Sequence, residues 1–167
     1  MQKKILSEIA LYYGDVSMPK GFEINRKKIN SDILQSNLIN KKLPFSKSWD
    51  MMNTYVIEHM HVNYDLKIEN KKNWGNFYKP NEISKPLINT DPMNLSNSSD
   101  FTLLYGVEAK DCIVTIYYDD NRRKGNTWNI PLENNKFIMF PSTNMYIIKN
   151  NQKEKLNFVL TTTYESF

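Results

Sequence analysis

Cysteine and histidine are scarce in this chain of 167 residues, which has one Cys and two His, and long apolar runs are missing. The single cysteine, Cys112, excludes an internal disulfide framework and fits a reducing compartment. No window approaches the roughly 18 consecutive apolar residues of a membrane-spanning helix. No export signal is visible either, because Glu8 interrupts the first apolar run. We therefore expect the protein to stay in the cytoplasm of the cell that makes it.

A strong charge of either sign is also lacking. The 22 Lys and Arg residues stand against 18 Asp and Glu residues, and the net charge of +4 is spread along the chain. So slight an excess permits contact with nucleic acid without indicating it. Hydrophobic residues make up 40% of the chain, which is enough for a core. We expect residues 1–167 to form a single domain.

The first third of the chain carries helical patterns. In "PFSKSWDMMNTYVIEHMHVNY", the spacing of Met52, Val56 and Met60 predicts an amphipathic helix. In "INSDILQSNLIN", the pair Ser31-Asp32 is a plausible N-cap for a second helix. The opening "SEIALYYGDV" is ambiguous, and we favour a strand that ends at Gly14-Asp15. Residues 1–64 are thus predicted to form a mostly helical cover.

After about residue 64 the hydrophobic period becomes two. Eight short runs of β type follow, separated by turn residues: "DLKIEN", "NWGNFYKP", "SDFTLLYGVEAK", "DCIVTIYYDD", "NTWNIPLE", "NKFIMFPS", "MYIIKN" and "KLNFVLTTTYE". Regularly spaced strands without intervening helices favour a sandwich or jelly roll over a parallel α/β sheet. The predicted class is mainly β (α+β), with a jelly-roll core at residues 65–165.

Four stretches of this β-rich part also resemble a known family. They are "WGNFYKPNEISKPLINTD", "IVTIYYDD", "KFIMFPSTNMYII" and "KLNFVLTTTYE", and together they resemble the double-stranded β-helix of 2-oxoglutarate/iron(II) oxygenases. The resemblance runs from about Trp74 to Tyr164 and implies a cupin-like jelly roll. The segments "LYYGD" and "MPKGFEI" near the start are similar to small proteins of marine tailed phages. That likeness implies that the protein is located in an infected bacterial cell or in the virion.

The resemblance also implies where an iron site would fall. Iron(II) in this family needs two imidazoles and one carboxylate. The first pair of ligands falls on Asn89 and Asp91, and the distal histidine falls on Tyr146, or on Met145 if the turn is shorter. The arginine that binds the cosubstrate falls on Lys155, which keeps the charge but not the bidentate fork. We therefore expect no metal and no cofactor, with iron(II) and 2-oxoglutarate as the alternative.

The same register implies a ligand pocket. Tyr78, Tyr117 and Tyr118 stand where related enzymes place tyrosines of the pocket wall, although aromatic residues in small jelly rolls are as often core residues. No residue is predicted to be catalytic. The candidate pocket consists of five side chains: Tyr78, Asn89, Asp91, Tyr146 and Lys155.

Other motifs have plain structural explanations. His59 and His61 in "EHMHVNY" would share a face on a strand but diverge on a helix, so we favour packing over metal binding. Arg122–Lys124 resemble a phosphate-binding finger, yet a solvated hairpin loop is the better interpretation. Cys112 fits a buried small side chain because no histidine lies near it in sequence.

Three functional hypotheses remain. The favoured one is a non-enzymatic phage protein that binds a partner or takes part in assembly. The second is an active oxygenase with an atypical site, and the third is a nucleic-acid-binding module. Strands with apolar residues on both faces also predict a homodimer, or docking to a larger assembly, through Tyr105, Tyr117 or Tyr118.

Overall fold

The computed structural model describes residues 3–4, 9–119 and 125–167, which form two α-helices, eight strands and one short 3-10 turn. The bounds in chain order are β1 (Tyr12–Asp15), α1 (Arg26–Leu38), α2 (Lys47–Tyr64), β2 (Ile68–Tyr78), the 3-10 turn (Leu95–Asn97), β3 (Phe101–Glu108), β4 (Cys112–Asp119), β5 (Gly125–Leu132), β6 (Lys136–Pro141), β7 (Tyr146–Asn150) and β8 (Asn157–Ser166).

The strands form two antiparallel sheets that face each other. The major sheet has the order β1-β6-β3-β8-β2, and the minor sheet has the order β5-β4-β7. Isolated bridges from Ile83 to Lys149 and from Leu87 to Tyr146 lay a further stretch of chain along the free side of β7. The non-consecutive strand order brings residues that are distant in sequence to one end of the sandwich.

Alternation along the strands of the major sheet divides the core into two layers. On β8, Phe158, Leu160 and Tyr164 point to one side and pack with residues of α1 and α2. Val159 points to the other side, into the layer between the two sheets. Both faces of the major sheet are therefore buried, which explains the continuous apolar and threonine run of β8. The sequence prediction of a helical cover on a jelly roll is confirmed at the level of the fold.

The ends of the helices follow local capping chemistry. The Oδ1 atom of Asn25 accepts a hydrogen bond from the N–H of Lys28 at 3.1 Å, so α1 begins at Arg26 and not at the predicted Ser31. Asp65, in a left-handed conformation (φ 51°), ends α2, and its N–H bonds to the carbonyl of His61. Within the described residues, no helix is both long and apolar enough to cross a bilayer.

Two sequence predictions need correction at this level. "DLKIEN" and "NWGNFYKP" are not separate strands, because both belong to β2, which pairs with β8 along its whole length and has a bulge between Asn70 and Lys72. Tyr105 cannot belong to an exposed aromatic patch, because it is fully buried and its hydroxyl donates to Oδ1 of Asn135 at 2.9 Å. The Arg122–Lys124 finger lies outside the described residues.

Candidate functional site

Asn89 and Tyr146 meet at one end of the sandwich. Leu87 and Tyr146 exchange backbone hydrogen bonds of 2.8 and 2.9 Å, which brings Asn89 beside the start of β7. The Nδ2 atom of Asn89 donates to Tyr146 Oη at 3.1 Å and to Thr102 Oγ1 at 3.0 Å. Thr102 Oγ1 in turn shares a 2.8 Å hydrogen bond with Ser142 Oγ. These four side chains form one polar network, which we call the mouth network.

The mouth network is neutral. Tyr146 is buried, and burial raises the pKa of its phenol to about 12, although the hydrogen bond from Asn89 lowers it. Burial, followed by the nearby Tyr146, also raises the pKa of Tyr78 well above its usual range. Both phenols therefore keep their protons near pH 7. The network offers hydrogen-bonding groups and no anionic ligand.

Asp91 lies near the mouth network but faces outward. Its side chain is exposed and accepts a hydrogen bond from the N–H of Met93 at 2.9 Å. Its own N–H donates to Ser98 Oγ at 2.9 Å, which holds the following loop. The carboxylate is thus engaged in a local turn and remains open to solvent.

The backbones of Lys155 and Tyr78 lie toward the opposite end of the sandwich. The amide of Asn150 donates to the carbonyls of Lys155 (2.9 Å) and Tyr78 (3.0 Å). Asn150 ends β7, four residues or about 13 Å along the strand from Tyr146. The ring of Tyr78 lies in the layer between the sheets, whereas the side chain of Lys155 is exposed. The structure brings Asn89 and Tyr146 together and leaves Lys155 apart from them.

A cavity of about 270 Å³ opens beside the mouth network, and we call it the mouth cavity. Residues from β2, β8 and the segment between β2 and β3 line it: Lys71, Lys72, Trp74, Asn89, Asp91, Asn97, Ser98, Ser99 and Thr163. Sequence analysis identified only two of these residues, Asn89 and Asp91. The available signal for Thr163 was the run of three threonines in a strand that is otherwise apolar.

The remaining sequence candidates lie elsewhere. His59 is half-buried on α2, where its ring stacks on Tyr55 with centroids 5.6 Å apart, and His61 is exposed at the end of the helix. Cys112 is buried, and burial raises the pKa of its thiol to about 12. Tyr117 and Tyr118 are half-buried on β4. None of these residues lines the mouth cavity.

The donor groups at the mouth do not fit an iron(II) triad. A facial triad uses two imidazoles and one carboxylate, whereas an amide and a neutral phenol stand at Asn89 and Tyr146. Within the described part of the chain, no group of three or more His, Cys, Asp or Glu residues could hold a metal ion.

Comparison with solved structures identifies the fold. The chain is similar to the viral collagen prolyl hydroxylase of Paramecium Bursaria Chlorella virus-1, in complex with 2-oxoglutarate, with a TM-score of 0.61, 13% identity and coverage of 92% of this chain and 94% of that one. It is also similar to a prolyl-4-hydroxylase of Pseudomonas putida, with a TM-score of 0.62, 8% identity and coverage of 93% and 87%. No protein-family model and no curated protein matches the sequence. The fold is thus the double-stranded β-helix of the 2-oxoglutarate/iron(II) oxygenases, and such identities show the fold alone.

The prediction that the protein takes no cofactor is wrong. A further similar structure is the epimerase SnoN in complex with Fe³⁺, alpha ketoglutarate and nogalamycin RO, with a TM-score of 0.61, 7% identity and coverage of 93% of this chain and 78% of that one. Iron and 2-oxoglutarate are therefore the cofactors that this fold suggests. Because the mouth network lacks imidazoles, this chain would have to hold them through donors other than a conventional triad.

Proposed function

We propose that this chain is an oxygenase-fold protein with an altered iron triad, and that it acts by binding a ligand or partner. The observation that supports this proposal is the 3.1 Å hydrogen bond between Asn89 Nδ2 and Tyr146 Oη. It joins the two positions where the resemblance implies imidazoles. Fold does not decide function, which depends on the groups at the site.

The proposal follows from the ligand chemistry of the two groups. A buried phenol whose pKa is raised to about 12 keeps its proton at neutral pH. It therefore does not bind a metal as an imidazole or a thiolate does. The amide of Asn89 donates its two hydrogen bonds to Tyr146 and Thr102, so both of its donors are already used within the mouth network. The altered triad therefore weakens the hold on iron(II) relative to a triad with two imidazoles.

An anaerobic titration with iron(II) and 2-oxoglutarate tests the altered triad. The double variant Asn89→His/Tyr146→His restores both imidazoles, and we expect it to bind iron(II) more tightly than the native chain. Asp91→Ala in the same background is the control, because it removes the only carboxylate that lines the mouth cavity among the described residues. A charge-transfer band in the native chain, together with succinate release after air is admitted, would contradict the proposal.

An oxygenase with an atypical site is the second candidate function. It is favoured by the position of Asp91, a residue that lines the same cavity as Asn89. A carboxylate near the mouth is one of the three groups that an iron site needs. Admission of air to the titrated samples distinguishes the candidates, since the second requires succinate release by the native chain once oxygen is present.

A role in phage assembly or host interaction is the finer form of the binding hypothesis. It is supported by the resemblance of "LYYGD" and "MPKGFEI" to small phage proteins. Neighbouring genes provide the test: a cluster of virion-assembly genes would support the role. A cluster of metabolic genes would favour the oxygenase instead.

A further inference from the structure

We propose that a groove along the free edge of β2 binds an extended acidic segment of a partner protein. The groove lies between β2 and the connection from α1 to α2, and we call it the edge groove. This inference names the partner class for the binding function proposed above and rests on it. None of the four side chains of the mouth network lines the edge groove.

Two open cavities meet to form the edge groove. The first, of about 350 Å³, lies between the end of α1 and residues 73–76 of β2. The second, of about 200 Å³, lies between the start of α2 and the residues Asn70 and Asn73. Leu43 and Asn73 line both cavities, so the two are continuous. From residue 70 to residue 76 the strand covers about 20 Å, the length of about six residues of an extended peptide.

The free side of β2 suits an extended chain. β2 is the last strand of the major sheet and pairs only with β8 among the described residues. Unpaired sheet edges are a common place for an extended segment of another chain to bind. Amide side chains, which can both donate to and accept from peptide groups, follow the whole groove. They are Asn37, Asn40, Asn53, Asn70, Asn73 and Asn76.

The first cavity is positively charged. Lys41 and Lys42 line it, both are exposed, and neither forms an ion pair with a described residue. None of the described residues that line this cavity is acidic. The end of α1 contributes a partial negative charge of about half a unit, which two ammonium groups outweigh. We therefore expect carboxylates of the partner to lie at this end of the groove.

The second cavity is apolar on one side. Leu43, Phe45 and Trp49 line it. Trp49 belongs to the helix-facing core, which fixes its ring, whereas Phe45 is 79% exposed. An exposed aromatic side chain beside a concave apolar surface is typical of protein contacts. Asp50 also lines this cavity and disfavours a second carboxylate there, so the partner is expected to present an apolar side chain at this end.

The shape of the surface favours a peptide over a membrane. Exposed lysines near an exposed phenylalanine would also suit anionic lipid headgroups. Two adjoining cavities, however, provide space for protruding side chains, and the surface of a bilayer has no such groups to fill them. The concave shape is therefore the observation that separates these two partners.

Fluorescence anisotropy with the full chain tests the inference. The probes are two labelled pools of eight-residue peptides with Val, Leu or Phe at the same alternate positions. The remaining positions are Glu or Asp in the acidic pool and Lys or Arg in the basic pool. We expect the acidic pool to bind, less tightly as the salt concentration rises, and the basic pool not to bind.

Two variants separate the charged end of the groove from the apolar end. Lys41→Met/Lys42→Met is expected to weaken binding of the acidic pool about fivefold or more and to reduce its salt dependence. Phe45→Ser is expected to weaken binding about tenfold and to leave the salt dependence unchanged.

Each variant has a matched control outside the groove. Lys149→Met/Lys153→Met removes the same charge from exposed positions. Phe167→Ser changes a phenylalanine that is also 79% exposed. Both controls are expected to bind the acidic pool as the native chain does.

Two outcomes would overturn the inference: the acidic pool binds no more tightly than the basic pool, or its binding is unchanged in both groove variants. Binding to phosphatidylserine vesicles that is lost in Lys41→Met/Lys42→Met, without binding of the acidic pool, would assign the surface to a membrane instead. The proposed function fails on a different result, since its failure is succinate release by the native chain after air is admitted.

Discussion

Tyr146 is at once a core residue and a residue of the site. Its ring packs edge-to-face on Phe140, with centroids 5.1 Å apart, while its hydroxyl accepts the hydrogen bond from Asn89. A histidine at this position would give up part of the packing between the sheets. The phenol therefore links the chemistry of the mouth to the stability of the sandwich.

Tyr146→Phe isolates the hydroxyl from the ring. The variant keeps the contact with Phe140 and removes one acceptor for the Asn89 amide, which retains Thr102. We expect the free energy of unfolding to fall by about 0.5–1.5 kcal/mol, the usual contribution of one hydrogen bond. Urea denaturation measures it, with Tyr13→Phe at an exposed tyrosine as the control. A Tyr146→Phe chain as stable as the native one would show that the bond contributes nothing.

The pH dependence of stability provides a second prediction for Tyr146. Its pKa is about 12 in the fold, against about 10 in an unfolded chain. Because the folded pKa is the higher one, the contribution to stability is complete below about pH 10 and is lost as the pH rises toward 12. Burial raises the pKa values of Tyr78 and Tyr164 in the same direction. Between pH 8 and 11, we expect the free energy of unfolding to fall less steeply with pH in Tyr146→Phe than in the native chain. Equal slopes for the two chains would contradict this account.

The helices and strands were more predictable from the sequence than the candidate site was. The change from helical to alternating period near Tyr64 predicted the helical cover and most strands, because burial of one face leaves a local pattern. The start of α1 was missed because Asn25 outside the apolar run caps it. Thr163 and Lys72 were missed because their meeting depends on the register of β2 and β8, which are about 90 residues apart in the chain. Asn89 and Tyr146 were predicted as site residues only through the resemblance to oxygenases, since no local sequence pattern connects them.

Gly75 fixes the distance between α1 and β2. A Cβ atom at this position would overlap the side chain of Ile33, which is fully buried in the helix-facing layer. The carbonyl of Gly75 also accepts a 2.8 Å hydrogen bond from Asn37 of α1. Docking of the helix on the sheet therefore depends on the missing side chain.

Gly75→Ala is expected to push α1 away from the sheet and to lower the free energy of unfolding by about 1–3 kcal/mol, the usual cost of overpacking. Ile33→Ala creates the space for the new methyl group, so the double variant is expected to be more stable than the sum of the two single changes predicts. Urea denaturation of all four chains completes the cycle. Additive effects would show that Gly75 and Ile33 do not compete for the same space.

At the scale of the whole molecule, the two sheets are covered unequally. The helices pack against β2 and β3 of the major sheet. On the minor sheet, Ile113, Tyr117 and Ile147 alternate with buried residues and are only half-buried. A sheet face with apolar side chains in partial contact with water favours association.

We expect this outer face of the minor sheet to form a homodimer contact or a docking surface, with Tyr117 at its centre. A two-fold contact would place the same face of both copies together, as is usual for small homo-oligomers. Light scattering at micromolar concentration is then expected to give about twice the monomer mass of 19.7 kDa. Tyr117→Asp adds a charge to the contact and is expected to return the monomer, whereas Lys110→Asp, outside this face, leaves the mass unchanged. A mass near 19.7 kDa across a dilution series would rule out the dimer and leave docking to a different protein as the role of this face.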